Sequence, residues 1–192
     1  FRRVLFRSGI GRGIALLLAE QGASVVVNDV GAEVTGAGGS TSPAQDVVAE
    51  IRSAGGRAVA NFDSVSDFRA AESIIETAVR EFGRIDILVN NAGLAAGGPS
   101  EEVTDEQWDL VYGVMLKGLF LCSQLAGRVM IEQRRGVILN ICSMAGIGGW
   151  AKRALYTPAK AGAIALTHVL GVEWAKHGVD RKSTRLNSSH RT

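Results

Sequence analysis

Four short runs rich in apolar residues, separated by stretches of helical periodicity, constrain this chain more than any other feature. ASVVVND at 23–29 is a continuous β-branched run, the pattern of a strand buried on both faces. RAVANF at 57–62, IDILV at 85–89 and VILNIC at 137–142 repeat it. The stretches between them read as helices. Ile14, Leu17 and Leu18 recur at helical spacing up to Gly22, and Val47, Val48 and Ile51 do so up to Gly55 and Gly56. Ile74, Ile75, Ala78, Val79 and Phe82 mark one side of a helix over 67–82 that Gly83 closes. Thr104 is the expected N-cap of a long helix over 106–130, with Trp108, Leu116, Phe120 and Leu121 as core candidates.

Strand and helix in strict alternation predict an α/β fold, a doubly wound parallel sheet of Rossmann type. A chain of 192 residues that is 46% hydrophobic suits one such domain. The glycine- and hydroxyl-rich stretch 31–43 reads as a surface loop, because both flanks continue the same pattern. No run approaches about 18 consecutive apolar residues, so no membrane span is expected. Cys122 and Cys142 sit in apolar surroundings and read as reduced core thiols of a cytoplasmic protein. No metal site is expected.

The two ends look foreign to this pattern. Residues 1–8, FRRVLFRS, are what the DNA string TTCAGACGTGTGCTCTTCCGATCT encodes, and its reverse complement, read one base in, opens with the codons for DRKSTRL, residues 180–186. Both resemble a sequencing-library adapter translated in its two directions. Residues 1–8 and 180–192 are therefore read as non-native peptides, leaving 9–179 as a domain truncated at both ends. They carry seven of the 21 Lys and Arg and one of the 19 Asp and Glu, so the body keeps 14 against 18, a net charge of −4. An acidic body lacks the basic footprint that a nucleic-acid partner requires.

Polar residues stand where the strands end. Gly9, Gly11 and Gly13 lead into the first helix, and a glycine turn at a helix N-terminus is an anion site. Asp29 comes twenty positions after Gly9, the spacing at which an acid accepts hydrogen bonds from an adenosine ribose and repels a 2′-phosphate. That favours NAD over NADP. Asp63 ends the second run, Asn90, Asn91, Ala92 and Gly93 come after the third, and Ser143 after the fourth. Ligands of open α/β sheets bind at that carboxyl edge. Thirteen positions after Ser143 comes Tyr156, and four further Lys160, one helical turn apart on one face. A phenol titrates near pH ~10, and an ammonium close to it favours the phenolate. Pro158 is tolerable only in the first turn of that helix or at a kink.

GIG near the start, NNAG after the third run and a serine thirteen before YxxxK together resemble the short-chain dehydrogenase/reductase family, over nearly all of 9–179. The resemblance implies that Gly9, Ile10 and Gly11 contact the dinucleotide, Asp63 meets its adenine, and Asn91, Ala92 and Gly93 line it. It implies Lys160 on the nicotinamide ribose and favouring the phenolate, Tyr156 as general acid/base and Ser143 orienting the substrate oxygen. The implied substrate is a small alcohol or ketone, and the implied parent a homo-oligomer. NDVGAEVTGAGGS with AVANFDSV looks like the dehydrogenase part of peroxisomal multifunctional β-oxidation enzymes, which act on (3R)-hydroxyacyl thioesters.

Three departures stand beside the resemblance. The family's first phosphate-loop glycine falls at Leu5, and the segments that come after 179 in the family are missing. Met115 occupies the usual place of an asparagine that supports a water in the proton relay, and a thioether cannot replace those amide hydrogen bonds. The chain as given is expected to be inactive, and a non-catalytic dinucleotide-binding or sensing homologue is the competing reading.

Overall fold

The structure, a computed structural model, describes residues 9–31, 42–95 and 97–186. Strands and helices alternate as α1 (Gly9–Glu20), β1 (Ser24–Asn28), α2 (Ser42–Ser53), β2 (Arg57–Asn61), α3 (Phe68–Phe82) and β3 (Ile87–Asn90). The chain continues through α4 (Asp105–Tyr112), a π-helical turn (Gly113–Gly118), α5 (Leu119–Gln133), β4 (Gly136–Ser143), α6 (Tyr156–Trp174) and β5 (Val179–Leu186). Among the described residues β1 pairs with β2, and β4 lies between β3 and β5, every pairing parallel. The expected peptide at 1–8 lies outside the described residues, as does 32–41 of the expected loop. The backbone of 180–186, read from sequence as non-native, forms most of β5 and pairs with β4 from Gly136↔Val179 to Ser143↔Leu186.

Side-chain alternation along β1 shows that the sheet is covered on both faces. Val26 packs against a core of Ile75, Ala78, Leu121, Leu125, Met130 and Ile138, carried by α3, α5 and β4. Its neighbours Val25 and Val27 pack the other way, against Ala15, Val47, Val48 and Ile51 of α1 and α2. A period of two with both faces buried is the reason for the unbroken β-branched run. Burying a side chain such as Ile138, which is 0% exposed, contributes roughly 1.5–3 kcal/mol.

Helix ends obey local chemistry. Asp67 caps α3 through Ala70 N at 2.9 Å, and Gly83 ends it at φ 78°, a backbone region glycine enters without strain. Thr104 and Gln107 form a reciprocal capping box at the start of α4. Pro158 is the third residue of α6, where no i−4 carbonyl within the helix is lost to it.

The long helix corrects the expected core. Trp108 is 47% exposed and Phe120 36%, whereas Leu116 is half-buried and Leu121 buried. The reason is the π turn, which adds a residue to one turn and rotates the rest of the helix, so a single 3.6-residue period fails across it. Trp108 instead stacks on Tyr112 at the surface, ring centroids 4.3 Å apart. Val79, expected on the core side of α3, is likewise 36% exposed, at the rim of that helix's apolar stripe. The stretch Asp105–Gln133 is long and apolar enough in composition to cross a membrane, but 56% of its apolar window is buried inside the fold, as a core helix requires.

Candidate active site

The parallel strands deliver their polar ends to one edge. Asp29 comes directly after β1, and its backbone N–H donates to Asn61 O at the tip of β2, 3.1 Å away. One Asp29 carboxylate oxygen accepts from Gly31 N at 2.7 Å. Asp63 is held by Asn61, whose amide donates to its carboxylate at 3.1 Å and whose Oδ1 accepts from Asp63 N at 2.9 Å. Asn61 also donates to Thr77 on α3. Gly11 in α1 approaches Asn91 so closely that an added Cβ would lie 2.7 Å from Asn91 Nδ2. Gly9 and Ile10, the first residues of that helix, are exposed.

Ser143 is the last residue of β4 and only 3% exposed. Its hydroxyl accepts from Ala145 N at 3.1 Å, opening the tight turn Met144–Ile147. Gly146 lets that turn rest on α6, because a Cβ there would meet the Lys160 carbonyl at 2.9 Å. Tyr156 begins α6, half-buried against a cluster containing Val111, Met115, Leu155 and Ala159. One turn on, the Lys160 ammonium lies 5.8 Å from the Tyr156 ring centroid and donates to Ile141 O at 2.7 Å. Lys160 is 7% exposed, and burial pulls its ammonium below the usual lysine range, an effect partly opposed by the nearby Cys142.

Gly93 closes over this pair, its Cβ position 4.0 Å from both Lys160 Nζ and Met115 Cγ. Ala92, Asn90, Met115, Ile141 and Lys160 help line a cavity of about 10 Å³, room for a single water. A larger depression, about 750 Å³, lies elsewhere, along Asp109, Tyr112, Lys117 and Phe120, and contains no predicted site residue.

Sequence reasoning missed what supports these groups. Asn90 Nδ2 donates to Asn140 Oδ1 at 2.8 Å and to Ser123 Oγ at 3.0 Å, and Asn140 Nδ2 donates to Thr167 Oγ1 at 2.9 Å. The chain of amides and hydroxyls ties β3, β4, α5 and α6 together beneath the site. Its one sequence signal is polar residues inside apolar runs, Asn140 in VILNIC and Ser123 in LFLCSQL. Arg153 was also missed: its guanidinium carbon lies 5.9 Å from the Tyr156 ring centroid, on a site otherwise read as having one cation.

Residues 6–184 match the profile of the short chain dehydrogenases. The chain belongs to that family. Among short-chain dehydrogenases it is 38% identical over 172 residues to the (2S)-[(R)-hydroxy(phenyl)methyl]succinyl-CoA dehydrogenase subunit BbsD of Thauera aromatica, covering 90% of this chain and 65% of that one. It is 45% identical over 172 residues to peroxisomal multifunctional enzyme type 2 of Drosophila melanogaster, 90% of this chain and 28% of that enzyme. A metagenomic short-chain oxidoreductase crystallised with NADP superposes with a TM-score of 0.84 at 32% identity, covering 93% of this chain and 77% of that one. The short-chain dehydrogenases are a family of oxidoreductases that use a nicotinamide dinucleotide and small-molecule substrates. It spans 65% of the Thauera subunit and 28% of the Drosophila enzyme.

Proposed function

We propose that the natural protein is an NAD(H)-dependent oxidoreductase that interconverts a secondary alcohol and a ketone, with Tyr156 as general acid/base. The observation that carries this reading is the Tyr156 and Lys160 pair on the first turns of α6, beside Ser143 at the end of β4. In alcohol oxidation the Tyr156 oxygen takes the hydroxyl proton, and in ketone reduction it returns one. Ser143 Oγ hydrogen-bonds the reacting oxygen and fixes its angle to Tyr156. Lys160, an ammonium in a water-poor setting, favours the phenolate when the proton leaves. A nicotinamide dinucleotide held by Gly9, Ile10, Gly11, Asn91, Ala92, Gly93 and Lys160 would supply the hydride acceptor in oxidation and the hydride donor in reduction.

The chain's own residues fit such a group. Gly11 lies against the Asn91 side chain, where a Cβ would displace the amide, and the N-terminus of α1 is suited to a pyrophosphate. Asp29 at the tip of β1 disfavours a 2′-phosphate. Arg12, the nearest cation in sequence to that turn, is engaged by Glu50 at 2.5–2.6 Å. Both support NAD over NADP. The substrate is a 3-hydroxyacyl thioester, the reading favoured by likeness to enzymes whose names carry acyl-CoA substrates, with a hydroxysteroid-like alcohol second. Two buried cysteines outside any disulfide suit the cytoplasm, and the parent is a homo-oligomer. Residues 9–179 are the enzyme body, and the chain as given is catalytically silent, because Leu5 replaces the first phosphate-loop glycine.

Met115 favours a second reading, a dinucleotide-binding sensor without turnover: it is 2% exposed and puts a thioether beside Lys160 and Gly93. Tyr156→Phe in the full-length protein separates the two. The enzyme loses about 10²–10⁴-fold in kcat while still binding NAD, and unchanged behaviour supports the sensor. NAD⁺ and NADP⁺ titrations of the same protein test cofactor choice.

A further inference from the structure

Residues 148–155 bring a second cation to Tyr156, and its anchorage is specific. The Arg153 carbonyl accepts from Thr157 N at 2.9 Å, joining it to the first turn of α6. Its guanidinium packs on Gly97, where an added Cβ would lie 3.1 Å from an Arg153 terminal nitrogen, and Gly98 N donates to the adjacent Lys152 O at 3.1 Å. Lys152 accepts a left-handed φ of 60°, an unusual conformation for a residue with a Cβ. Thus the segment after β3 and the segment before α6 are clasped so that the guanidinium sits beside the acid/base ring, on a residue that remains exposed.

The two segments that form this clasp carry only positive charge. Segments 90–99 and 143–160 contain Lys152, Arg153 and Lys160 and no Asp or Glu, in a body of net charge −4 over 9–179. Lys160 is buried, and Arg153 is exposed. A guanidinium presents paired N–H donors that match a carboxylate. With the reacting oxygen at Tyr156, a guanidinium carbon 5.9 Å from that ring reaches a group only a few bonds from the reacting carbon. A phosphate at the far end of a pantetheine arm is too distant.

We propose that Arg153 is a specificity-determining residue that pairs with a free carboxylate carried by the substrate about two to four bonds from the reacting carbinol carbon. The protein therefore prefers hydroxyacyl groups that are also carboxylic acids over neutral ones of the same length. This rests on the hydride-transfer reading for its rate measurement and on binding alone for its second.

The test compares the N-acetylcysteamine monothioester of 3-hydroxyglutarate with the thioester of 3-hydroxypentanoate, five carbons each, one bearing the carboxylate and the other not, in full-length wild type, Arg153→Lys and Arg153→Gln. The wild type should favour the acid by about tenfold or more in kcat/KM, the size of a charge-assisted hydrogen bond. Arg153→Lys should retain part of that ratio and Arg153→Gln should collapse it. In parallel, calorimetry with the glutarate monothioester, which has no hydroxyl to oxidise, should show a Kd weakened about tenfold in Arg153→Gln. Arg153-dependent binding without turnover of either thioester sinks the oxidoreductase reading and keeps the carboxylate site. A selectivity ratio indifferent to residue 153, or no binding of the glutarate probe by the wild type, overturns the proposal.

Discussion

Where β4 meets α6 two of the three candidate catalytic side chains are buried and bonded, Ser143 at 3% and Lys160 at 7% exposure, with Tyr156 half-buried, whereas at the start of α1 Gly9 and Ile10 stand open, Ile10 at 49%. The first corner rests on the Asn90, Asn140, Ser123 and Thr167 network, whose polar atoms are satisfied inside the protein. The second is joined by close backbone approach, Gly11 to Asn91, and by hydrogen bonds among strand tips at Asp29, Asn61 and Asp63. Acid/base chemistry needs groups held within fractions of an ångström before the substrate arrives. A large flat dinucleotide instead needs accessible N–H groups and room. One corner is therefore organised by the core and the other is exposed, so substitutions should divide into those that alter rate or stability and those that alter only affinity.

Tyr156→Phe gives the largest effect, because the lost phenol is the only proposed proton carrier: steady-state kinetics should record the 10²–10⁴-fold fall in kcat with little change in melting temperature. A comparable fall in NAD affinity would erase the distinction between corners. Gly11→Ala should do the reverse. Its Cβ displaces the Asn91 amide, so KM for the dinucleotide should rise by roughly tenfold, or ~1.4 kcal/mol. The fold should survive, since alanine gains up to ~1 kcal/mol of helix propensity over glycine. A large loss of melting temperature instead would mean that the open corner is as tightly packed as the buried one.

Asn140→Leu probes the network without touching a proposed catalytic group. It removes one partner from Asn90, which keeps Ser123, and one from Thr167, which keeps the Ala163 carbonyl, at a cost of about 0.5–1.5 kcal/mol for each hydrogen bond lost. For a domain of this size each kcal/mol lowers Tm by about 2–4 °C, readable by calorimetry. An unchanged Tm would show that the amide chain is not what holds the catalytic corner.

The same contrast governs what the sequence could reveal. Strands, helix stops and the Tyr156–Lys160 pairing were legible because each is a local rule: alternation along β1, glycine at φ 78° after α3, and i,i+4 geometry on α6. The π turn was not, because one extra residue in a turn is invisible to a fixed helical period, and it carried Trp108 and Phe120 out of the expected core. Asn140 and Arg153 were illegible for another reason. Each acts through partners on other elements, Asn140 through residues 50 and 27 positions away and Arg153 through Gly97, and no local pattern encodes such meetings.

The smallest effect concerns the protonation of Lys160, and its sign is set by burial. Folding holds the ammonium below the ordinary lysine value of 10.5, so the unfolded chain binds this proton more tightly than the folded one. Below the folded value both forms are charged and the fold carries the whole desolvation penalty. As pH rises from there toward 10.5 the folded protein gives up its proton first, and stability linked to this group increases; above 10.5 both forms are neutral and the penalty is gone. The Lys160→Met variant lacks that penalty at every pH. The Tm difference between wild type and Lys160→Met, tracked from neutral pH to about pH 10, should therefore move steadily in favour of the wild type. A difference that stays flat, or moves toward the variant, would mean that the Ile141 carbonyl and the charge near Cys142 outweigh burial, and that the lysine is kept charged by the catalytic corner itself.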